Sequence, residues 1–460
     1  VNEEVSLSID PDGLLRFRYT GEVPAVGSDI IFSRLEEIGR GIFLPITEPR
    51  IAATFGLPNM ANIEELRVKG GLMSYQLPNT YDRPVAITLT IPNATRDGQP
   101  FIISTNLPAY SGTGAPPTFS NPDVPIDLNG YVMSIPNDSL FFEYTMIDDL
   151  GNELDPSPGT TVVITNLKFS FMRGYLGKEL YPGGRDTIEV DFFDNYLEGE
   201  IFFQDPTITM TLVNTFGVPA LAQVNVLNVI DVDGNVIPIT GEAVDEGFYF
   251  EFPENPGDTA YTTFVFDNTN SNIDQVLSAR PVALDYEVNA LINPDEDTSI
   301  IGFLTDSSAY RAQVDVELPL YGNASDFTVR DTFEIDLMDR YQDVVGIDFR
   351  LTTKNSLPLG MQLQGTFLDS MGNALADLTN GEIQLLQAAP IDAQGNTTAE
   401  VPTTNDISFT GDRLEALRNA SRLVITLDIS TSEDGMPFVR VTDNQRLQVL
   451  LGAQVSVERP

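Results

Sequence analysis

Short runs of alternating apolar and polar residues recur along the whole chain. Residues 207–212 illustrate the pattern, with Thr at every second position and Ile, Met and Leu between them. Since successive side chains of a strand point to opposite faces of a sheet, such runs predict half-buried β-strands. Gly, Pro, Asn and Asp separate the runs and predict turns. Helical spacing occurs at residues 28–38, capped by Ser28 or Asp29, and at 412–420. The pattern predicts an all-β fold with few short helices.

A twelve-residue motif occurs twice in the chain. Residues 185–196 read RDTIEVDFFDNY and residues 330–341 read RDTFEIDLMDRY, so seven of the twelve positions are identical. Each motif is followed by a strand that ends at Asn214 or Asn355, then by a hairpin, a short helical stretch and a long strand. Both units end on similar closing strands, at residues 313–318 and 447–451. Two successive units of one fold are therefore predicted.

A fainter copy precedes these two. Residues 66–69 and 82–93 parallel residues 188–191 and 205–214, and residues 140–146 supply its long strand. The predicted organisation is an N-terminal segment at 1–63 and three β units at 64–184, 185–329 and 330–460. Each unit is expected to fold as a sandwich, so that tandem β-sandwich-like units form an elongated molecule. Such a rod holds things apart, covers a surface or presents a binding edge.

The charge balance changes the set of partners that can be considered. The chain has 25 Lys and Arg against 67 Asp and Glu, a formal net charge of −42. Because nucleic acids and anionic membranes are bound through Lys and Arg, neither is expected as a partner. The excess of acid suits a salty habitat, where counterions screen self-repulsion, and it also suits divalent cations at the surface. No apolar run is long enough to span a membrane as a helix.

The residue types that are missing exclude most enzyme chemistry. The sequence contains no His, no Cys and no Trp among its 460 residues. Without His and Cys there is no Ser-His-Asp triad, no thiolate nucleophile and no site where these residues bind zinc. Paired carboxylates, as in glycoside hydrolases, remain conceivable chemistry, but neighbouring acids are expected by chance in so acidic a chain. The chain is therefore not expected to be an enzyme or to carry a cofactor other than calcium.

Three hairpins share the pattern D-x-x-G-N. Asp opens such a turn by accepting bonds from the backbone, and Gly adopts the positive φ of a tight hairpin. Calcium is the alternative interpretation at one hairpin, with Asp231, Asp233 and Asn235 as ligands, although the distal bidentate Glu of an EF-hand loop is missing. The three hairpins are Asp148/Gly151/Asn152, Asp231/Gly234/Asn235 and Asp369/Gly372/Asn373.

Several phrases carry a resemblance to a known group of proteins. They are DPDGLLRFRY at residues 10–19, LEGEIFFQDP at 197–206, VNTFGVP at 213–219 and VLLGAQV at 449–455. The chain resembles exported β-rich proteins of Bacteroidota, and among them the Plug subunits that close the periplasmic end of the type IX secretion translocon. The resemblance implies a periplasmic, non-enzymatic partner of a very large outer-membrane barrel. It assigns no functional residue.

Three functions follow from these observations. The first is a non-enzymatic cell-envelope protein in the periplasm or at the cell surface, which binds the outer-membrane translocon or another envelope protein. The polar opening of the chain is then expected to be that of a mature protein whose leader has been removed, or of a protein that never had one. The alternatives are a surface adhesin or glycan-binding protein, with exposed Tyr and Phe platforms or cation sites, and an elongated lipid carrier, with a continuous apolar tunnel. A plug would instead present a flat patch at one end.

Overall fold

The computed structural model describes residues 4–22, 26–55, 61–191, 195–277, 280–335, 343–379 and 381–458. Parts of both twelve-residue motifs, at 192–194 and 336–341, lie outside these ranges. The strands that begin before residue 182 are β1 (Glu4–Ile9), β2 (Leu15–Glu22), β3 (Val26–Gly27), β4 (Gly41–Pro45), β5 (Arg50–Thr54), β6 (Asn62–Pro78), β7 (Val85–Arg96), β8 (Gln99–Leu107), β9 (Thr118–Ser120), β10 (Ile126–Asp127), β11 (Val132–Ser134), β12 (Ser139–Asp148), β13 (Thr161–Tyr175) and β14 (Glu179–Tyr181).

The strands after residue 184 repeat the same alternation of long and short runs. The first group is β15 (Arg185–Glu189), β16 (Tyr196–Phe203), β17 (Thr207–Asn214), β18 (Ala220–Asp231), β19 (Val236–Pro238), β20 (Phe248–Phe250), β21 (Ala260–Phe266), β22 (Pro281–Ile292), β23 (Gly302–Thr305) and β24 (Ala309–Pro319). The second group is β25 (Tyr321–Glu334), β26 (Val344–Asn355), β27 (Leu359–Leu368), β28 (Ala374–Asp377), β29 (Ile383–Leu386), β30 (Val401–Thr410), β31 (Arg422–Thr431), β32 (Val439–Arg440) and β33 (Leu447–Val457).

Helices are few and short. They are α1 (Asp29–Ile38), α2 (Glu242–Asp245), α3 (Ile273–Leu277) and α4 (Asp412–Asn419), with one 3-10 turn at Pro136–Asp138. The prediction of an all-β fold with few short helices is confirmed. Ser28, one of the two predicted caps, is the N-cap residue of α1, but its hydroxyl makes no capping bond and instead donates to the Thr305 carbonyl at 2.7 Å. No helix in the described ranges is long and apolar enough to cross a membrane.

Three repeats share one order of strands. In the second repeat β24 pairs with β17 and β17 with β21, while β18 pairs with β22. The third repeat has the same ladders in β33–β26–β30 and β27–β31. The first has them in β13–β6–β9 and β7–β12. All of these ladders are antiparallel, and in each repeat the last strand, which we call the closing strand, lies beside the first long strand. The closing strands are β13, β24 and β33.

A buried asparagine marks the end of the first long strand in each repeat. Asn79, Asn214 and Asn355 are all buried, and each side-chain oxygen accepts the backbone N–H two residues further on. Asn79 follows β6, so β6 is the equivalent of β17 and β26. The sequence alignment of residues 82–93 with 205–214 is therefore wrong: those residues lie in and around β7, which is equivalent to β18.

Strands also pass between neighbouring repeats. Strand β23 belongs to the second repeat by its place in the sequence, but it pairs with β13 of the first repeat. Strand β16 pairs with β25, and so joins the sheet of the third repeat. Before residue 63, β2 pairs with β24 of the second repeat, whereas β4 and β5 pair with β13 and β12 of the first. The predicted boundaries at 64, 185 and 330 stay a prediction.

The buried side chains divide unevenly. One continuous core runs through the first two repeats and into the start of the third, and includes Tyr19, Phe169 and Tyr286. A separate and much smaller core lies between the sheets of the third repeat, around Phe409, whose ring contacts Phe349 and Phe367 at centroid distances of 6.1 and 5.9 Å. The third repeat is therefore the one with the least buried apolar surface of its own.

Candidate functional site

The calcium candidates lie in a tight hairpin between β18 and β19. The Oδ1 atom of Asp231 accepts the backbone N–H groups of Asp233 and Asn235 at 2.9 and 2.8 Å, and its Oδ2 accepts the Asn235 side-chain amide at 2.8 Å. Gly234 has φ +80°, as the turn requires. The Asp233 carboxylate instead forms an ion pair, with its Oδ2 3.4 Å from a guanidinium nitrogen of Arg280. Both oxygens of Asp231 thus serve the turn.

The same turn occurs four times in the part of the chain that the structure describes, one more than sequence inspection found. The additional copy runs from Asp392 to Asn396, where Oδ1 of Asp392 accepts the N–H groups of Gln394 and Asn396 at 2.9 Å each. Its sequence signal is the same D-x-x-G-N pattern, DAQGN at residues 392–396. The four turns start at Asp148, Asp231, Asp369 and Asp392, and their glycines have φ between +80° and +91°.

These turns lower the pKa values of their aspartates. Hydrogen bonds from the side chain and then the backbone of Asn373 hold the pKa of Asp369 below its ordinary value, and Asn152 does the same to the pKa of Asp148. At Asp231 burial raises the pKa, but the side-chain and backbone bonds from Asn235 outweigh it, so the pKa is lowered. The turns therefore favour the charged carboxylate without any cation. Within the described ranges no group of three or more Asp and Glu side chains is placed to hold a metal ion. Calcium binding at Asp231, Asp233 and Asn235 stays a prediction.

A second candidate site emerges from the closing strands. In the first repeat the outer edge of β13 is covered by β4 and β23, and in the second repeat the outer edge of β24 is covered by β2 and β3. Both long coverings, β4 and β2, come from the segment before residue 63. In the third repeat β33 pairs with β26 alone among the described residues. We call this free side of β33 the open edge.

The open edge exposes side chains that face inward. Leu451 lies directly opposite Leu351 of β26, and Val449 and Val455 lie opposite Thr353 and Ile347, so these three residues point to the inner face of the sheet. They are nevertheless 66%, 55% and 53% exposed. The equivalent inner residues of the covered closing strands, such as Val314 and Val316 in β24 and Val162 in β13, are fully buried. The missing covering strand accounts for the difference.

The twelve-residue motif gives a second indication that a covering strand is missing beside β33. Ile188 and Phe333 occupy the same motif position. Ile188 is 1% exposed, and its Cγ1 lies so close to β2 that a methyl group added to Gly21 would sit 2.4 Å from it. Phe333 is 47% exposed. A strand added to the open edge would lie where β2 lies in the second repeat, and would cover Phe333 as β2 covers Ile188.

The strand that forms the open edge contains no charged residue. The eleven residues of β33 read LQVLLGAQVSV and include no charged residue and no Pro, in a chain of which 20% is charged. Natural edge strands are usually protected from pairing by Lys, Pro or bulges, because their free N–H and C=O groups offer a template for another strand. An apolar, uncharged, unpaired edge of this length is the arrangement used for strand addition by a partner.

The outward face of β33 differs from that of β24 in charge. Asn214 pairs with Tyr310 and Asn355 with Leu447, which places Gly452 and Gln454 at the positions of Asp315 and Glu317. A strand that suits the open edge therefore meets neutral neighbours on its outer side.

On β24 those two acids hold the covering strand. Glu317 accepts bonds from Arg16 at 3.3 Å and Arg18 at 2.5 Å, and Asp315 accepts the Thr20 hydroxyl at 2.5 Å. The open edge offers no such partners for cationic side chains. Its specificity rests on apolar inner positions and on the backbone ladder.

An apolar pocket lies where the second and third repeats meet. Its volume is about 310 Å³, and its walls are almost wholly apolar. Phe17 of β2, Phe203 of β16, Ile429 of β31 and Val439 of β32 contribute to it. The pocket has the size and polarity to hold a small apolar group rather than a complete lipid.

Comparison with known proteins yields structural likenesses alone. No protein family matches the chain, and no curated protein matches it. A protein from Parabacteroides distasonis, described as secreted, is 13% identical with a TM-score of 0.21, over 58% of this chain and 81% of that one. An infectious bursal disease virus structure is 10% identical over 96% and 85% of the two chains, with a TM-score of 0.14. Dimeric latent PorU from Porphyromonas gingivalis is 8% identical over 83% and 33%, with a TM-score of 0.13. Structures with TM-scores this low do not superpose over most of their length, so no function is transferred from these proteins.

Proposed function

We propose that this chain is an exported, non-enzymatic envelope protein that acts by binding another protein, and that an extended segment of the partner adds to the open edge as a further strand. The observation that carries the proposal is the bare closing strand of the third repeat. The closing strands of the first and second repeats are both covered, and the covered arrangement buries the inner residues that β33 leaves exposed.

Strand addition at this edge uses two kinds of contact. The free N–H and C=O groups of β33 supply a ladder of backbone hydrogen bonds, and alternate side chains of the partner enter the apolar gap beside Leu451 and Phe333. Full burial of a Val or Leu side chain contributes about 1.5–3 kcal/mol. Association costs roughly 4–15 kcal/mol in lost freedom of motion. Affinity therefore depends on how many inner positions the partner fills.

The test is capture of the partner from native envelope extract, with mass spectrometry of the captured proteins. Leu451→Lys places a charge at an inner position that an added strand would bury, so we expect the partner recovered by the wild-type chain to be lost. Leu150→Lys is the matched control, because Leu150 is also a highly exposed leucine but lies in the β12 hairpin. Equal recovery by all three proteins would refute binding through the open edge.

The most specific form of the proposal follows the sequence resemblance to the Plug subunits. In that role the partner is a very large outer-membrane barrel of the type IX secretion translocon, and this chain closes its periplasmic end. The absence of His and Cys supports a non-catalytic role of this kind. Recovery of a very large barrel subunit in the capture experiment is the expected result. Recovery of a different envelope protein, lost in Leu451→Lys, would leave strand addition standing and dismiss the Plug role.

The apolar pocket bears on a second candidate function, the lipid carrier. A single pocket of about 310 Å³ accommodates part of an acyl chain and not a continuous lipid path. Native mass spectrometry of the purified chain, followed by solvent extraction, tests this function. A stoichiometric lipid lost in Phe203→Asp but retained in Leu150→Lys would establish it.

A further inference from the structure

A second unpaired edge lies at the other end of the chain. Strand β1 pairs with β2 alone among the described residues. Val5, Leu7 and Ile9 lie opposite Tyr19, Phe17 and Leu15 of β2 and so point to the same face, yet they are 51%, 54% and 59% exposed. Strand β1 therefore has the two properties of β33, a free ladder and inner apolar residues that nothing in the described chain covers.

The two edges match each other in chemistry. The inner residues of both are Val, Leu, Ile or Ala, and the alternate positions are neutral, with Ser6 and Ser8 on β1 and Gly452 and Gln454 on β33. A covering strand with arginines at its outer positions, like β2, would find no acid on β33. Strand β1 has no such arginines. Apart from Glu4 at its end, β1 brings no charge to the contact.

Resting on the proposed strand addition at the open edge, we propose that strand β1 of a second molecule of this chain occupies the edge when the envelope partner is not bound. Val5, Leu7 and Ile9 fill the apolar gap that β2 fills in the second repeat, and they are themselves covered by the contact. All ladders between the strands of this fold are antiparallel, and the added strand follows them. Since β1 and β33 are different surfaces, the contact is head-to-tail, and each molecule keeps one free edge for the next.

The net charge sets the condition for assembly. Each molecule carries −42, so two molecules repel one another at low ionic strength even though the contact itself is neutral. Salt shortens the range of this repulsion to a few ångströms at molar concentration. Assembly is therefore expected to strengthen as NaCl is raised, the opposite of an ion-paired interface.

Light scattering coupled to size-exclusion chromatography tests the assignment. At high NaCl the wild-type chain gives masses that rise with concentration through integral multiples of one molecule. Leu7→Lys closes one edge and Leu451→Lys closes the other, so each variant alone is monomeric. Mixed together, they form a heterodimer of twice the monomer mass and nothing larger, because only one β1 and one β33 remain usable. Leu150→Lys assembles like the wild type, and circular dichroism of all variants shows that they are folded.

Other results would overturn the assignment in distinguishable ways. A dimer of Leu7→Lys alone would mean that β33 pairs with β33 of another molecule, and a wild-type chain that stays monomeric at every salt concentration would exclude self-assembly. In both cases a partner captured from envelope extract through Leu451 would leave the proposed function intact. If no partner is captured through Leu451 but head-to-tail assembly occurs as expected, the self-assembly assignment stands and binding of an envelope protein at this edge is refuted. The chain has no Cys, so a Leu7→Cys and Leu451→Cys double variant, cross-linked between molecules, checks the contact directly.

Discussion

Asn355 shows how much a single buried amide fixes in this fold. Its Nδ2 donates to the carbonyls of Leu359 and Gln387 at 2.8 and 2.9 Å, and its Oδ1 accepts the Leu357 N–H at 2.9 Å. The bonds tie the end of β26 to the strand that follows and to the facing sheet. Asn214 and Asn79 make comparable bonds in the other repeats.

Asn355→Ala leaves several buried backbone groups without a partner, and each such group costs about 1–3 kcal/mol. We therefore expect the variant to lower the free energy of unfolding by more than the cost of one unpaired group. Urea unfolding followed by circular dichroism measures the loss. Asn255→Ala is the control, because Asn255 is exposed and makes one bond, to Asp258 at 3.3 Å. A loss at Asn355 no larger than at Asn255 would contradict this account of the repeat.

The aspartate turns predict a dependence on pH. The pKa of Asp369 is lowered in the folded protein by bonds from Asn373, so the turn contributes stability that is fully present above the unfolded-state pKa, about 3.9, and is lost as pH falls through the folded-state pKa. In Asn373→Ala we expect the pKa of Asp369, followed by NMR of its carboxyl carbon, to rise toward the ordinary value. The variant should differ from wild type in stability at neutral pH and converge with it in strong acid. An unchanged pKa would show that the Asn373 side chain is dispensable.

At the scale of the strands, the two copies of the motif give a matched comparison. Ile188 is covered by β2, and Phe333, at the same motif position, faces the open edge. We expect Ile188→Ala to cost about 2–5 kcal/mol, as for a buried aliphatic side chain, and Phe333→Ala to cost much less despite the larger side chain removed. Thermal and urea unfolding of the monomer at low salt measure both. Equal losses would mean that Phe333 is covered in solution.

Sequence alone predicted the strands and the later repeats but not their coverage. The RDT motif is a local sequence signal, so it predicted the second and third repeats without knowledge of the strand pairing. The first repeat was misaligned because the Thr-rich β7 has the same alternation as β17, and only the ladders show that β6 holds the equivalent place. Strand β33 is uncharged in the sequence, but its sequence does not show whether another strand covers it. The strands that cover the other closing strands, β2 and β4, lie far from them along the chain. Calcium binding at Asp231, Asp233 and Asn235 stays a prediction, because the hydrogen bonds of the turn account for both Asp231 oxygens without a cation.

At the scale of the whole molecule, charge dominates the response to solvent. With 67 acidic and 25 basic residues, mutual repulsion opposes the compact state. Ion pairs whose two side chains are both exposed, such as Arg350 with Asp406 and Lys178 with Glu296, contribute little against it. We expect the melting temperature at low protein concentration to rise as NaCl is added. Sucrose at matched osmolality serves as the control for effects other than screening. A fall with NaCl would mean that attractive pairs outweigh the repulsion.

Divalent cations separate screening from binding. If Asp231, Asp233 and Asn235 bind calcium, CaCl₂ should raise the melting temperature more than MgCl₂ at the same ionic strength, because Ca²⁺ accepts irregular oxygen coordination whereas Mg²⁺ requires near-octahedral geometry and gives up its water reluctantly. The excess should disappear in Asp233→Asn, which removes the one carboxylate not used by the turn. Identical curves for the two salts would end the calcium interpretation, and calorimetric titration would confirm the outcome.

The exchange of strands between neighbouring repeats limits how this protein could have changed in length. Because β23 completes the sheet of the first repeat and β16 that of the third, removing or inserting one repeat would leave a gap in the sheet of the next. A duplication within the gene would therefore succeed only if the donated strands were duplicated with it. Each repeat of the described chain is therefore bound to its neighbour by a strand that belongs to the neighbour's sheet.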